Sequence, residues 1–263
     1  MVWLTSQSVW LLVFGCLAIA IAVAFGSRWL ARVLIPPEER EHACSIAAAL
    51  MTAFAAAFAL LTALTLANEA NALSSAQTVV STEAADAATL AWASTAPGIA
   101  TAPIQQALLT YLESTRAHEW HGDAAGNGDD AATANALANL ERAVRTQAAR
   151  PDVHVSSSNE LLASLDSLTS ERRLRLAAAS RGLPDFYVLV VVITGLALIV
   201  NTSIVGIRSG LRGALVAVSL AIVIAISVAL LLALATPWRG TIEVSGQPID
   251  AVIRDLMTGY FHG

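Results

Sequence analysis

Four long stretches without a charged residue constrain the fold of this chain more than any other feature of its sequence. They run from Val9 to Gly26, from Cys44 to Ala67, from Phe186 to Ile207 and from Gly213 to Thr236. Each is close to the roughly 20 residues that a helix needs to cross about 30 Å of hydrocarbon. The sequence therefore predicts an all-α membrane protein with four transmembrane helices.

The composition supports this class and excludes others. Of the 263 residues, 56% are hydrophobic and 13% are charged, against about a quarter charged in typical soluble domains. The net charge of -5 lacks the basic footprint of a nucleic-acid-binding protein. Two cysteines, Cys16 and Cys44, give no disulfide or thiolate metal framework. We expect no metal and no cofactor, and the arginine-only, alanine-rich composition suggests a bacterial source.

The uncharged stretches also divide the chain into segments. We predict a first transmembrane hairpin at 1–67, a water-facing antiparallel helical bundle inserted between spans two and three at 68–183, a second transmembrane hairpin at 184–236 and an amphipathic tail at 237–263. Leu66, Leu73, Val80 and Ala87 recur every seven residues beyond the second span, which is the period of a helix packed along another helix. The tail is expected on the bilayer surface or on the bundle.

Arginines in the short connections predict the orientation in the membrane. Arg28, Arg32 and Arg40 flank the first connection, and Arg208 and Arg212 flank the second. Positive loops tend to stay in the cytoplasm. We therefore expect a multi-pass protein of the bacterial plasma membrane whose helical bundle and both termini lie outside the cytoplasm.

Charged residues on the two longest helices form the first candidate site. Since each helical residue rises 1.5 Å, Glu83 lies roughly 24 Å beyond the second span and Arg172 roughly 21 Å before the third. Glu69 and Arg181 likewise both lie near the membrane surface. These residues either latch the helices by ion pairs or form an arginine collar that binds anions or lipid phosphates; the candidates are Arg172, Arg173, Arg175, Arg181, Glu69 and Glu83.

Two further groups of candidate functional residues lie within the predicted spans. Asn201, Thr202 and Ser203 form the only polar triplet of the third span, and we expect them at a polar helix terminus, with pore lining as the alternative. Small side chains recur at intervals of four along the second span, where they allow another helix to approach closely. Packing within the chain is favoured over an oligomer contact for this ridge, which consists of Ser45, Ala49, Ala53 and Ala57.

The sequence shows no catalytic signature. His118, Glu119, His121 and Asp123 crowd one helix end, but without the spacing of a zinc protease motif or a distant partner ligand. We expect a solvated helix end there. No glycine-rich phosphate loop and no serine elbow occurs, so we expect a protein without enzymatic activity.

Several segments resemble the bacterial four-span family labelled bestrophin-like. They are Glu69 to Leu73, Tyr111 to Trp120, Arg172 to Leu176, Ser180 to Pro184 and Arg239 to Ser245. The resemblance covers almost the whole chain and implies the same four-span architecture. Bestrophins are pentameric anion channels that keep their water-facing domain in the cytoplasm. This sequence lacks an acidic cluster after the fourth span like their calcium-sensing stretch, and its arginines predict the opposite orientation.

These observations favour a membrane protein that forms homo-oligomers through its long helices and conducts or binds anions. The alternative is a scaffold or accessory subunit that binds another membrane or envelope protein through the helical bundle. A lipid-modifying enzyme with its site at His118 and His121 is a third hypothesis, which unchanged function after substitution of both histidines would remove. Besides the lipid bilayer, the expected partner is therefore a second copy or another membrane protein.

Overall fold

The computed structural model describes residues 9–120, 130–180, 185–234, 238 and 243–261. Within these residues it contains only helices and their connections. The helices are α1 Val9–Leu34, α2 Arg40–Ala93, α3 Thr101–His118, α4 Ala131–Ala148, α5 Val155–Ser180, α6 Asp185–Val205, α7 Gly210–Leu234 and α8 Gln247–Thr258.

Four of these helices are long and apolar enough to cross a membrane, namely α1, α2, α6 and α7. They contain the four uncharged stretches of the sequence or nearly all of each. The predicted all-α class with four transmembrane helices is thus confirmed. Helix α2 extends far beyond its uncharged stretch, over 54 residues, as the absence of proline and glycine from its sequence allows.

The chain forms two compact units. The first comprises Met1–Asn71, Leu183–Thr236 and Gly240–Ile242, and the second comprises Ala72–Gly182, Pro237–Arg239 and Glu243–Gly263. The boundary at residue 71 falls within α2. Each unit has its own buried apolar cluster.

The first unit is built on helix α1, which packs against both α6 and α7. Alanines at the contacts keep the helix backbones close, and the larger side chains fill the remaining space. Its buried cluster includes Ala24 of α1, Phe58 of α2, Val191 of α6 and Ala221 of α7. Many other large apolar side chains of these helices are exposed, as membrane-facing residues are in a single chain.

The turn between α6 and α7 depends on two glycines in close contact. A Cβ atom on Gly213 would lie 3.0 Å from Gly206 Cα and 3.1 Å from Arg28 Nη1. Neither backbone can yield without moving its helix. The absence of a side chain at these positions therefore lets the hairpin close over Arg28.

Replacing Gly213 by alanine is expected to destabilise the first unit by about 1–3 kcal/mol, the usual cost of overpacking. Thermal unfolding in mild detergent, followed by circular dichroism, measures the effect. Gly15→Ala is the matched control, because a Cβ on Gly15 meets nothing within 4 Å. Equal unfolding temperatures of the two variants would contradict this account of the turn.

The second unit is a helical bundle around one apolar core. Helix α3 packs on α4, and α4 packs on α5. Val80 and Ala87 of the predicted seven-residue repeat are fully buried in this core, and Leu73 packs against it. Helix α8 of the tail packs on α3 and buries Ile249, Val252 and Leu256. Gly259 ends α8 in the left-handed conformation, with φ of 73°, where glycine is favoured.

Candidate functional site: a buried arginine cluster

Arg175 of α5 is fully buried in the second unit, and two carboxylates surround it. Its Nε donates a hydrogen bond to Glu83 Oε2 of α2 at 2.7 Å. Its Nη2 donates to Glu119 Oε2 at 3.0 Å, and its Nη1 donates to the Glu119 backbone oxygen at 3.2 Å. All three nitrogens of the guanidinium therefore donate to protein oxygens.

Arg172 completes the cluster one helical turn earlier. Because the two arginines are three residues apart on α5, they lie on the same face of the helix. Arg172 Nη2 donates to Glu119 Oε1, so both oxygens of Glu119 accept from arginines. Glu83 and Glu119 are fully buried and Arg172 is 8% exposed. We name Glu83, Glu119, Arg172 and Arg175 the buried quartet, and its formal charges sum to zero.

Tyr111 of α3 extends the buried quartet with a hydroxyl that donates to Glu83 Oε1 at 3.0 Å. Burial and the neighbouring Glu83 carboxylate raise the pKa of Tyr111 far above its ordinary value. Burial alone would lower the pKa of Arg175, but the negative charge of Glu83 together with the hydrogen bonds to Glu83 and Glu119 raises that pKa above its usual range. Tyr111 therefore stays neutral and Arg175 stays charged in the folded protein.

The raised pKa of Tyr111 predicts a loss of stability at alkaline pH. Above about pH 10 the tyrosine ionises in the unfolded chain but stays protonated in the folded one. Stability contributed by Tyr111 is thus complete below about pH 10 and falls by about 1.4 kcal/mol per pH unit above it. Tyr111→Phe should be less stable than the wild type at pH 7, because Glu83 loses a hydrogen-bond donor. Between pH 7 and pH 11, however, the free energy of unfolding should fall less for this variant than for the wild type. Parallel unfolding curves against pH for the two proteins would refute this prediction.

Aromatic rings cover one side of the buried quartet. The Arg175 guanidinium lies 5.7 Å from the centre of a Trp120 ring, and the Arg116 guanidinium lies 4.5 Å from it. Trp238 packs edge-on against Trp120, with ring centres 5.4 Å apart. Arg116 Nε and Nη2 also donate to the two carboxylate oxygens of Asp250, at 2.7 and 3.1 Å. This fork ties α3 to α8 beside the cluster.

The structure changes the predicted pairing of the charged residues. The partner of Arg172 is Glu119, and Arg175 is the arginine that contacts Glu83. Arg173 is exposed, because it lies on a different face of α5 from Arg172 and Arg175. Arg181 lies outside the described residues, and Glu69, in the first unit, is buried.

The environment of Glu119 differs from the one that the sequence predicts. We expected a solvated helix end, but Glu119 is fully buried, because it follows the last turn of α3 and faces the two arginines. His118 is exposed and its Nδ1 lies 4.0 Å from Asp130 Oδ2, while His121 and Asp123 lie outside the described residues. No group of three or more metal-binding side chains occurs among the residues that the structure describes.

The polar triplet of α6 packs within the first unit. Asn201, Thr202 and Ser203 are all buried. Asn201 Nδ2 donates to the Ala47 backbone oxygen at 2.8 Å, and Ser27 Oγ donates to Ser203 Oγ at 2.9 Å. Thr202 Oγ1 donates to Leu198 O of its own helix. The contacts of Asn201 and Ser203 join α6 to α2 and α1. Pore lining by the triplet stays a prediction.

The small-residue ridge of α2 lies on the exposed side of the first unit. Ser45, Ala49, Ala53 and Ala57 are all exposed, whereas Ala47 and Phe58 are buried. The expected packing of the ridge within the chain is therefore not observed. The reason is that the stripe containing Ala47 and Phe58, on another side of the helix, faces the protein. The ridge remains free for lipid or for another protein.

The geometry of the buried quartet defines what it can do chemically. Both guanidinium groups are paired with carboxylates; Arg175 is fully buried and Arg172 is 8% exposed, so a free anion has little access to them. The buried Nε of Arg172 has no hydrogen-bond partner among the described residues. Buried pairs of this kind are costly to break, since removing one partner leaves an unpaired charge in the interior. The arrangement therefore fixes α2, α3 and α5 relative to one another.

Four apolar spans, together with a helical bundle that contains buried ion pairs, define an all-α multi-span membrane protein. The sequence matches the Bestrophin-like domain over residues 18–249, and the chain belongs to the Bestrophin-like family.

Solved structures share this fold over nearly the whole chain. Two variants of a bacterial bestrophin homologue from Klebsiella pneumoniae superpose with TM-scores of 0.71 and 0.75, at 11% and 12% identity. The alignments cover 95% of this chain in both cases, and 100% and 99% of the homologue. A structure described as a membrane protein superposes with a TM-score of 0.74 at 12% identity, over 94% of this chain and 97% of its own. Among curated proteins no sequence matches.

Proposed function

We propose that this chain is a non-enzymatic subunit of a homo-oligomeric anion channel in a bacterial plasma membrane. The observation that carries the proposal is the match to the Bestrophin-like domain over residues 18–249, because bestrophins are anion channels. The fold match to a bacterial bestrophin homologue over 95% of the chain agrees with the architecture that this proposal requires.

The exposed ridge of α2 supports assembly from several copies. Small residues at intervals of four let helices approach closely in a membrane, where dispersion and backbone contacts replace the hydrophobic effect. Ser45, Ala49, Ala53 and Ala57 provide such a surface. We infer that α2 forms the contact between subunits along this ridge.

The buried quartet has a structural role in this proposal. We infer that Arg172 and Arg175 latch the bundle through Glu83 and Glu119, and that they do not bind the permeating anion. Arg173 and Arg181 are the arginines of this group left as candidates for anion binding, since the structure shows Arg173 exposed and does not describe Arg181.

Purification of the full chain in gentle detergent tests the assembly. Native mass determination should give the mass of two or more whole copies of the 27.4 kDa chain, with no second protein present. A single copy bound to another protein would overturn the homo-oligomer proposal and favour an accessory role.

That accessory role is the second candidate function, and one observation favours it. Trp92, Met257 and Tyr260 are large apolar side chains that are exposed on the second unit, and the Trp92 and Tyr260 rings are in contact. Exposed aromatic residues are enriched where proteins bind each other. The native mass and the identity of any co-purifying protein separate the two functions.

The arginines of the two short connections predict a cytoplasmic location for the α6–α7 turn and an external one for the bundle. Single cysteines introduced into a cysteine-free chain at exposed positions test this orientation. In intact cells a membrane-impermeant maleimide should label Arg142→Cys in the bundle and leave Ser209→Cys in the turn unlabelled until the membrane is opened. The reverse pattern would place the bundle in the cytoplasm.

A further inference from the structure

The α6–α7 turn of the first unit forms one side of a groove of about 740 Å³. Arg208, Ser209 and Arg212 line it at the turn, and Met51 of α2 lines it from across. Arg208 and Arg212 are both exposed. The groove therefore combines cationic side chains with the edge of a membrane-spanning hairpin.

A third arginine lies at the same place. Arg28 of α1 is 5% exposed, and its Nη2 donates to the backbone oxygen of Gly210, the first residue of α7. Its Nη1 is buried without a hydrogen-bond partner. Gly206 and Gly213 line the groove. A Cβ atom added to either glycine would lie 3.3 or 3.1 Å from that nitrogen, respectively. The N-terminal end of α7 thus faces an incompletely satisfied cation.

Positive charge exceeds negative charge around the groove. Arg208 Nη1 lies 3.4 Å from Glu41 Oε2, and both side chains are largely exposed, so this pair is weak in water. No ion pair involving Arg212 occurs among the described residues. The α7 N-terminus adds the positive end of a helix dipole, which favours an anion.

The apolar wall of the groove distinguishes among anions. Val205, Leu211 and Val216 line it together with Met51, and Leu211 and Val216 are 77% and 56% exposed. These side chains belong to α2, α6 and α7 and continue into the membrane-spanning parts of the helices. A free phosphate ion would leave this wall in contact with water, whereas a phospholipid places its phosphate by the arginines and its acyl chains along the wall.

We propose that the groove at the α6–α7 turn binds the phosphate group of an anionic phospholipid through Arg208 and Arg212. The proposal uses the four-span architecture and does not depend on anion conduction. Bound lipid would hold the hairpin of α6 and α7 at the membrane surface, at the end of the first unit where Arg28 lies.

Lipid binding to the full chain in detergent tests this proposal. Native mass spectrometry should show phosphatidylglycerol bound about tenfold to thirtyfold more tightly than phosphatidylcholine of the same acyl chains, since each of the two arginines contributes about a fivefold preference for anionic lipid. Arg208→Gln combined with Arg212→Gln should reduce that preference to about twofold or less.

The matched control is Arg142→Gln combined with Arg145→Gln, which removes the same charge from exposed positions of the second unit and should keep the preference. Equal binding of the two lipids to the wild type would overturn the proposal, as would an unchanged preference in the Arg208/Arg212 variant. Competition by inorganic phosphate as effective as competition by phosphatidylglycerol would show that a soluble anion occupies the groove. Should the double variant fail to give a single monodisperse species, Arg212→Gln alone and the wild-type preference decide the result.

Discussion

Replacing Arg175 by glutamine is expected to destabilise the second unit by about 3–5 kcal/mol, because removing one partner of a buried ion pair leaves an unpaired charge in the interior. The variant leaves the fully buried Glu83 carboxylate with Tyr111 as its remaining donor and deprives Glu119 of one of two arginines. Thermal unfolding in detergent, followed by circular dichroism, should show a large fall in the transition temperature. The protein yield should fall as well.

The neighbouring Arg173 provides the matched control for this prediction. It lies on the same helix two residues away and is exposed, so Arg173→Gln should change stability by about 0.5 kcal/mol or less. Combining Glu83→Gln with Arg175→Gln should cost less than the sum of the two single changes, because no carboxylate at position 83 remains unpaired. Strict additivity of the two costs, or equal effects at Arg173 and Arg175, would contradict the latch.

Replacing Ala53 by tryptophan should convert the homo-oligomer into smaller species. Ala53 lies in the exposed ridge of α2, and a bulky ring there prevents the close helix approach that small residues allow. Native mass determination in gentle detergent measures the change, which we expect to be a loss of most of the assembled form.

Ala59 offers the corresponding control on the same helix. It is exposed and lies about 120° round the helix from Ala53, at about 100° per residue. Ala59→Trp should leave the oligomer intact. An oligomer that survives Ala53→Trp but not Ala59→Trp would place the subunit contact on another face of α2.

The spans were predictable from the sequence because the signal for a membrane helix is strong and local. A run such as Phe186 to Ile207 excludes charge over its whole length, and only a helix satisfies every backbone hydrogen bond in lipid. The seven-residue repeat beyond the second span was predictable from helical periodicity, which is also a local signal. Its Val80 and Ala87 are fully buried.

The buried quartet was predictable only in part. Arg172 and Arg175 continue the stripe of Leu161, Leu165 and Leu168 along α5, at helical spacings of three and four, and Glu83 falls three residues after Val80 in the stripe of α2. Extending these apolar stripes through the charged residues would have indicated that the charges are buried. Helical height alone could not assign the partners, because residues within one turn of each other differ by only a few ångströms.

Glu119 could not be assigned from local sequence. It follows a helix end beside two histidines, where most carboxylates are solvated. In the fold its carboxylate is buried where it accepts hydrogen bonds from Arg172 and Arg175 of α5. Likewise, the ridge of Ser45, Ala49, Ala53 and Ala57 shows the spacing of a contact surface in sequence, but whether that contact is made within the chain depends on which face of α2 the other spans cover.

Chloride flux through the purified protein tests the central claim most directly. The wild-type homo-oligomer, reconstituted into liposomes loaded with chloride, should release it when a gradient is imposed and the membrane potential is clamped. Protein-free liposomes, and liposomes with Ala53→Trp protein that no longer assembles, should retain it. Wild-type protein that inserts as a stable homo-oligomer and yet passes no chloride or other small anion would contradict the proposed channel.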